Sequence, residues 1–216
     1  MTTATGTGLQ VLQARFGAAL AGHLEHHLGR PHWDAGRLAA YQREQLRALL
    51  ACAAGRSPFH ARRLAGIDAA RFELADLACL PVMSKQQMMD GFDELATDRR
   101  LTRVRVEQHL AASATEPGLL LGRYVCLASG GSSGLRGIVV QTIEEYAEFV
   151  ASFVRPLAAA LAASAGPPPG GVPVAIVGAA SPVHASGFGA AAGAGGSPLR
   201  TTRPGQPERC LTGRGF

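Results

Sequence analysis

Nine consecutive residues hold most of the chemistry this chain can offer: Ser129-Gly130-Gly131-Ser132-Ser133-Gly134-Leu135-Arg136-Gly137, with four glycines and three serine hydroxyls. Glycines let the backbone turn tightly and approach a ligand closely, leaving N–H groups pointing outward. Serine hydroxyls add donors that rotate to meet phosphate oxygens, and Arg136 puts a guanidinium at the far edge. The stretch is a cradle for an anion, above all a polyphosphate. Its composition equally describes a plain Gly/Ser hairpin turn, since such turns are common.

Two phosphate motifs are excluded by spacing. G-x-x-x-x-G-K-[ST] fails because no Lys-Ser or Lys-Thr follows these glycines, and G-x-G-x-x-G fails in register and in needing a helix directly afterwards. Apolar, β-prone runs flank the loop instead, Tyr124-Val125-Cys126-Leu127-Ala128 before it and Ile138-Val139-Val140 after it. The expectation is therefore a strand–loop–strand unit, with a poorly ordered loop.

The loop resembles the phosphate-binding signature [ST]-S-G-T-T-G-x-P-[KR]-G of adenylate-forming enzymes, in the branch of phenylacetate–CoA ligase and its coenzyme F390 synthetase-like relatives. Ser129, Gly131, Ser132, Ser133 and Gly134 fall on matching positions. The usual proline is missing, and Arg136-Gly137 stands where the basic-Gly pair is found. Upstream, Ser57-Pro58-Phe59-His60 resembles the H-S-P-F-Y segment, and Leu80-Pro81-Val82-Met83-Ser84-Lys85 the L-P-x-[ST]-K segment. The likeness covers residues 41–189.

The resemblance implies an acid–CoA ligase that joins a carboxylate to ATP, releases pyrophosphate, and passes the acyl group to coenzyme A. It implies ATP, Mg2+ and coenzyme A as cofactors, and a small-molecule carboxylic acid and a nucleotide as partners. Phosphate contact would fall to Ser129, Gly130, Gly131, Ser132, Ser133 and Gly134, assisted by Arg136, through positioning and electrostatic stabilisation. His184, in Ser181-Pro182-Val183-His184, lies where such ligases line the acyl pocket; a loop histidine is the plainer reading. No catalytic residue is assigned. An aromatic-Gly-x-[ST]-E segment, a ribose-binding aspartate and a late lysine, which the family's chemistry needs, have no counterpart here: the only lysine is Lys85 and the only acid after Glu148 is Glu208. The expectation is a truncated ligase, inactive alone; the alternative is a non-enzymatic nucleotide- or anion-binding or interaction module.

The elements that must position this loop are mostly helical. Leu9, Leu12, Phe16, Leu20, Leu24 and Leu28 recur at helical spacing, up to Gly29 with Pro31 beyond. His23, His26 and His27 ride on that helix; a metal site is weighed and set aside, because no carboxylate completes a known spacing, and edge-of-core or surface positions are expected. A second helix over 37–54 should bury Leu38, Tyr41, Leu46, Leu49, Leu50 and Ala53. Ser57-Pro58 starts a third, Pro81 stops a short one, and Ser84-Lys85-Gln86-Gln87 is a capping box opening a helix with Met88, Met89 and Phe92. Lys85 reads as a surface cation. A helix over 102–112 follows, and Thr142-Ile143-Glu144-Glu145 opens another, with Ile143, Tyr146, Phe149, Val150, Phe153, Val154, Leu157 and Leu161 on one face and a kink at Pro156.

The fold class expected is α/β: a helical N-terminal region (1–115), a partial nucleotide-binding α/β region of adenylate-forming type (116–190) with a strand at 172–177, and a disordered tail (191–216) rich in Gly, Pro and Arg. At 216 residues, 47% hydrophobic, the chain can bury a substantial core. Its net charge of +5 is spread as scattered arginines with few aromatics between them, which is no nucleic-acid stripe. Cys52, Cys79, Cys126 and Cys210 form no C-x-x-C pair. Neither a secretory signal nor an eighteen-residue apolar run is visible, so a cytoplasmic protein without membrane contact is expected.

Overall fold

The computed structural model describes residues 5–129, 134–163 and 181–193. Eight α-helices occur among them: α1 (Thr5–Gly29), α2 (Ala35–Arg56), α3 (Pro58–Arg63), α4 (Lys85–Asp90), α5 (Phe92–Leu95), α6 (Arg103–Ala112), α7 (Ile143–Ala163) and α8 (Ala185–Gly193). The strands β1 (Tyr124–Ala128) and β2 (Ile138–Thr142) pair antiparallel, from Tyr124 opposite Thr142 to Ala128 opposite Ile138. The fold is thus mostly helical with one small sheet. The expected strand at 172–177 and the expected tail beyond residue 193 lie outside the described residues. No helix among the described residues is long and apolar enough to cross a membrane.

Local chemistry explains where the helices start. The Asp34 carboxylate accepts from the Arg37 N–H at α2, and Ser57 Oγ from the His60 N–H at α3, where Pro58 takes the first position. At α4, Ser84 Oγ accepts from Gln87 N and the Gln87 side chain accepts from Ser84 N, closing the expected box. Thr142 and Glu145 exchange the same pair of bonds at α7. The single helix expected over Met88–Phe92 is instead two, broken at Gly91. A Cβ there would come within 2.6 Å of the Phe59 ring, so only glycine lets α3 and the α4–α5 corner touch.

The sheet is packed on both faces, which is why β1 is apolar at every position and buried throughout. Tyr124, Cys126, Ala128 and Ile138 face Met89, Phe92, Leu101, Val106 and Leu110 of the α4–α6 segment. Val125 and Leu127 point the other way, into a cluster made by Leu12 and Phe16 of α1, Ile143, Tyr146 and Ala147 of α7, and Phe188 and Ala192 of α8. The boundary expected near residue 115 therefore crosses a shared core, and the boundary expected at 190 falls inside α8. A third cluster, Leu50, Leu64 and Phe72, joins α2 to α3 and the turn that follows.

Two stripes differ from expectation. On α7 the buried positions are Ile143, Tyr146, Ala147 and Ala151, whereas Phe149, Phe153 and Leu157 are exposed, Phe153 by 80%. The small Ala147 and Ala151 give α1 a close approach that the phenylalanines would block. On α2, Leu38 and Leu49 are exposed, and Leu50 carries the burial against Leu64 and Phe72.

Candidate functional site

The Gly/Ser loop leaves β1 and returns as β2, the strand–loop–strand arrangement, with no helix after Gly134. Its two ends are locked together. Ser129 N donates to Gly137 O at 2.9 Å, and Gly137 N donates to Ser129 Oγ at 2.8 Å. Ser129 therefore uses an acceptor lone pair on the backbone, which leaves the O–H of this exposed residue able to donate. Gly134 has φ of +80°, a left-handed turn open to glycine. Arg136 is exposed, with no hydrogen-bond or ion-pair partner among the described residues. Gly130, Gly131, Ser132 and Ser133 lie outside the described residues.

A cation not assigned from the sequence stands at this loop. Lys85, first residue of α4, donates from Nζ to Leu135 O at 3.3 Å, and its Cδ lies against Gly137 together with Met88 Cε and Ser129 Oγ. Met89 Sδ accepts from Ile138 N at 3.4 Å, so α4 lies across the returning limb of the loop. The capping box at Ser84 fixes where Lys85 begins its helix. The lysine is a surface cation, as its exposure shows, but a surface shared with the loop. Fifty positions separate it from Leu135; the resemblance of Leu80–Lys85 to L-P-x-[ST]-K singled it out without placing it at the loop.

His184 is drawn to the same end of the sheet. Val183 O accepts from Ala128 N at 2.8 Å, which ties the 181–184 turn to β1 one residue before Ser129. Its imidazole Nδ1 lies 3.0 Å from Ser186 Oγ at the start of α8. The third matched segment closes the group from behind: Ser57 Oγ donates to Glu94 O, and Phe59 packs on Gly91. Burial, with the Arg63 guanidinium second, holds His60 below the ordinary imidazole range.

Compared with protein-family models, curated proteins and solved structures, the chain matches none.

At the root of β1, Tyr124 O–H donates to Asp98 at 2.8 Å and Arg100 grips the same carboxylate from two nitrogens. Hydrogen bonds from Arg100, then Tyr124, hold Asp98 well below the usual carboxylate range. This group anchors the strand and takes no part at the loop. Among the described residues no group of three or more His, Cys, Asp or Glu side chains is arranged to hold a metal. What the loop rim offers is donors and positive charge, from the Ser129 hydroxyl, Lys85 and Arg136: a set for an anion and not for a cation.

Proposed function

We propose that this chain binds the polyphosphate of ATP as the nucleotide-holding part of an adenylate-forming acid–CoA ligase of the phenylacetate–CoA ligase type. The observation that carries the reading is the position of Lys85 on the loop's return limb. Two segments of the resemblance meet directly, Leu80–Lys85 and the described end of the loop, through the contacts of Lys85 with Leu135 and Gly137, while Ser57–His60 packs through Phe59 on Gly91, six residues beyond Lys85. In this reading loop N–H groups and serine hydroxyls meet the phosphate oxygens, while Lys85 and Arg136 offset their charge. His184, next along the same sheet edge, is the substrate-side residue for a small carboxylic acid. Magnesium would arrive with the phosphates, because no acidic side chain stands in the 129–137 segment; coenzyme A is the acyl acceptor by resemblance. A cytoplasmic location belongs to the same proposal.

For residues 1–216 the reading is binding and not turnover, since none of them matches the lysine, ribose aspartate or magnesium-binding glutamate of the resemblance. Removing one transition-state donor of this kind costs about 10²–10³ in rate. The test is calorimetry with ATP and with pyrophosphate, each with and without Mg2+, beside an ATP–pyrophosphate exchange assay over a panel of aryl and acyl acids. Binding should weaken about tenfold in Lys85→Ala, the scale of one charge-assisted contact, and exchange should stay at background. No binding at millimolar nucleotide, or binding indifferent to Lys85→Ala and Ser129→Ala, refutes the assignment; robust exchange refutes the absence of turnover.

A further inference from the structure

Away from the loop, His27 of α1 is the one residue of acidic or basic type that is buried among the described residues, with 1% of its surface exposed. Its Nε2 lies 2.8 Å from Glu148 Oε1 of α7, and its Nδ1 lies 3.3 Å from Arg30 Nη1. Arg30 also donates from Nη2 to the Tyr41 hydroxyl of α2 at 2.9 Å and reaches Glu148 Oε1 at 3.3 Å. Its guanidinium carbon stands 4.9 Å over the Tyr41 ring, while its Nε is buried without a hydrogen-bond partner. His23 of α1 completes the group, with Nδ1 at 2.7 Å from Glu148 Oε2. These four, His23, Arg30, Tyr41 and Glu148, are the titratable or charged groups that the hydrogen bonds place around His27.

A guanidinium has only donors. The contact with Arg30 therefore requires a lone pair on His27 Nδ1, and the proton of the neutral ring sits on Nε2, donated to Glu148. In that state one guanidinium and one carboxylate balance. A second proton has only Nδ1 to go to. There it turns the acceptor into an N–H aimed at an N–H of Arg30, and sets two cations 3.3 Å apart in a place closed to water. His27 cannot turn away without losing Glu148. Arg30 can leave: it is long, reaches the surface, and already has one buried N–H unmet.

We propose that His27 is a proton-operated latch on the junction of α1 and α2. Neutral His27 keeps Arg30 on Tyr41; proton uptake at Nδ1 expels Arg30 and uncouples α2 from the α1–α7 pair. His23 does not work the latch, since it already donates to Glu148 and a further charge there is attractive. His26 faces Trp33, ring centroids 6.4 Å apart, and not Arg30.

Trp33 is the only tryptophan in the chain and stands at this junction, 5.3 Å from the Tyr41 ring and under the Arg37 guanidinium at 4.3 Å. Its emission should shift to the red, with easier acrylamide quenching, in one step as the pH is lowered from about 8 to 5. His27→Gln, which can donate to Glu148 and accept from Arg30 without taking up a proton, should lose the step; His26→Gln should keep it. On the wild-type chain, imidazole ¹⁵N resonances at the upper pH should show His27 protonated on Nε2 alone, with its titration midpoint matching that of the Trp33 step. The latch is overturned by a flat Trp33 profile, by a step that survives His27→Gln or vanishes in His26→Gln, or by an Nδ1–H tautomer. Should His27→Gln fail to fold, a mismatch between the two wild-type midpoints overturns it equally.

Discussion

Gly91→Ala puts the packing at the α4–α5 corner to a quantitative test. The new methyl carbon would stand 2.6 and 2.7 Å from two carbons of the Phe59 ring and 3.3 Å from Gln87 O. Carbon atoms in good contact are about 3.5–4.0 Å apart, so the ring must retreat by about 1 Å. It cannot swing freely, because His60 meets its edge and the Arg63 guanidinium covers its face, both at 5.5 Å. Overpacking of this kind costs about 1–3 kcal/mol. Against it stands the reduced freedom of the unfolded chain, about 0.4–1 kcal/mol in favour of alanine. The backbone raises no objection, since φ −92° and ψ 13° admit any residue. Sterics win, and the variant should be destabilised by about 1–2 kcal/mol, a fall in Tm of about 2–8 °C for a chain of this size. Thermal and urea unfolding followed by circular dichroism measure it, with the urea m-value unchanged. In a Phe59→Ala background the cost should vanish, leaving a favourable coupling in the double-mutant cycle. A Gly91→Ala chain as stable as the parent, or one that loses as much stability without the Phe59 ring, would refute the reasoning.

Three further outcomes follow from single sites. Ser84→Ala removes the acceptor that caps α4 and should lower stability by about 1 kcal/mol in urea unfolding; under the proposed function it should also weaken ATP binding, because Lys85 is the next residue. Burial pushes the Cys126 thiol up to about 12, so alkylation mapped by mass spectrometry should modify the exposed Cys52 and Cys79 first; Cys126 reacting as fast would contradict its place in the core. For Glu148, burial works to raise its carboxyl, but His27, Arg30 and His23 outweigh it and the net position lies below the usual 4.5. A lowered carboxylate stabilises the fold fully above its unfolded value and loses that contribution as pH falls through the folded one. Wild-type stability should therefore decline on the acid side of about pH 4.5 more steeply than that of Glu148→Gln; parallel curves would show the cluster to be without effect.

What the sequence made legible is what local chemistry decides. The capping residues at Ser57, Ser84 and Thr142 are each bonded as their spacing predicts, because a cap involves neighbours three positions apart. The α7 stripe was not legible, since an apolar arc of Phe149, Phe153 and Leu157 beside Ala147 and Ala151 has the same period whichever side meets α1. Selecting the side takes knowledge of how closely another helix approaches. The site divided likewise. Ser129, Gly134 and Arg136 could be nominated from composition alone, whereas Lys85 acquires its place at the loop through the packing of α4 on the sheet. His27 and Glu148 were invisible as a pair because nothing local links two positions 121 apart.

That separation has a consequence for the order of assembly. Translation adds about 5–20 residues per second, so roughly 6–24 s pass between the making of His27 and the making of Glu148, 121 residues later. For most of that interval Leu12 and Phe16 lack the partners that bury them, since Val125 and Leu127 of β1 and Ile143, Tyr146 and Ala147 of α7 are made only near its end, and Phe188 and Ala192 of α8 after it. The cluster of Leu50, Leu64 and Phe72 draws on a short stretch of chain and can close while synthesis continues. Helix α1 is thus made early and placed late, and for those seconds its apolar face stays uncovered.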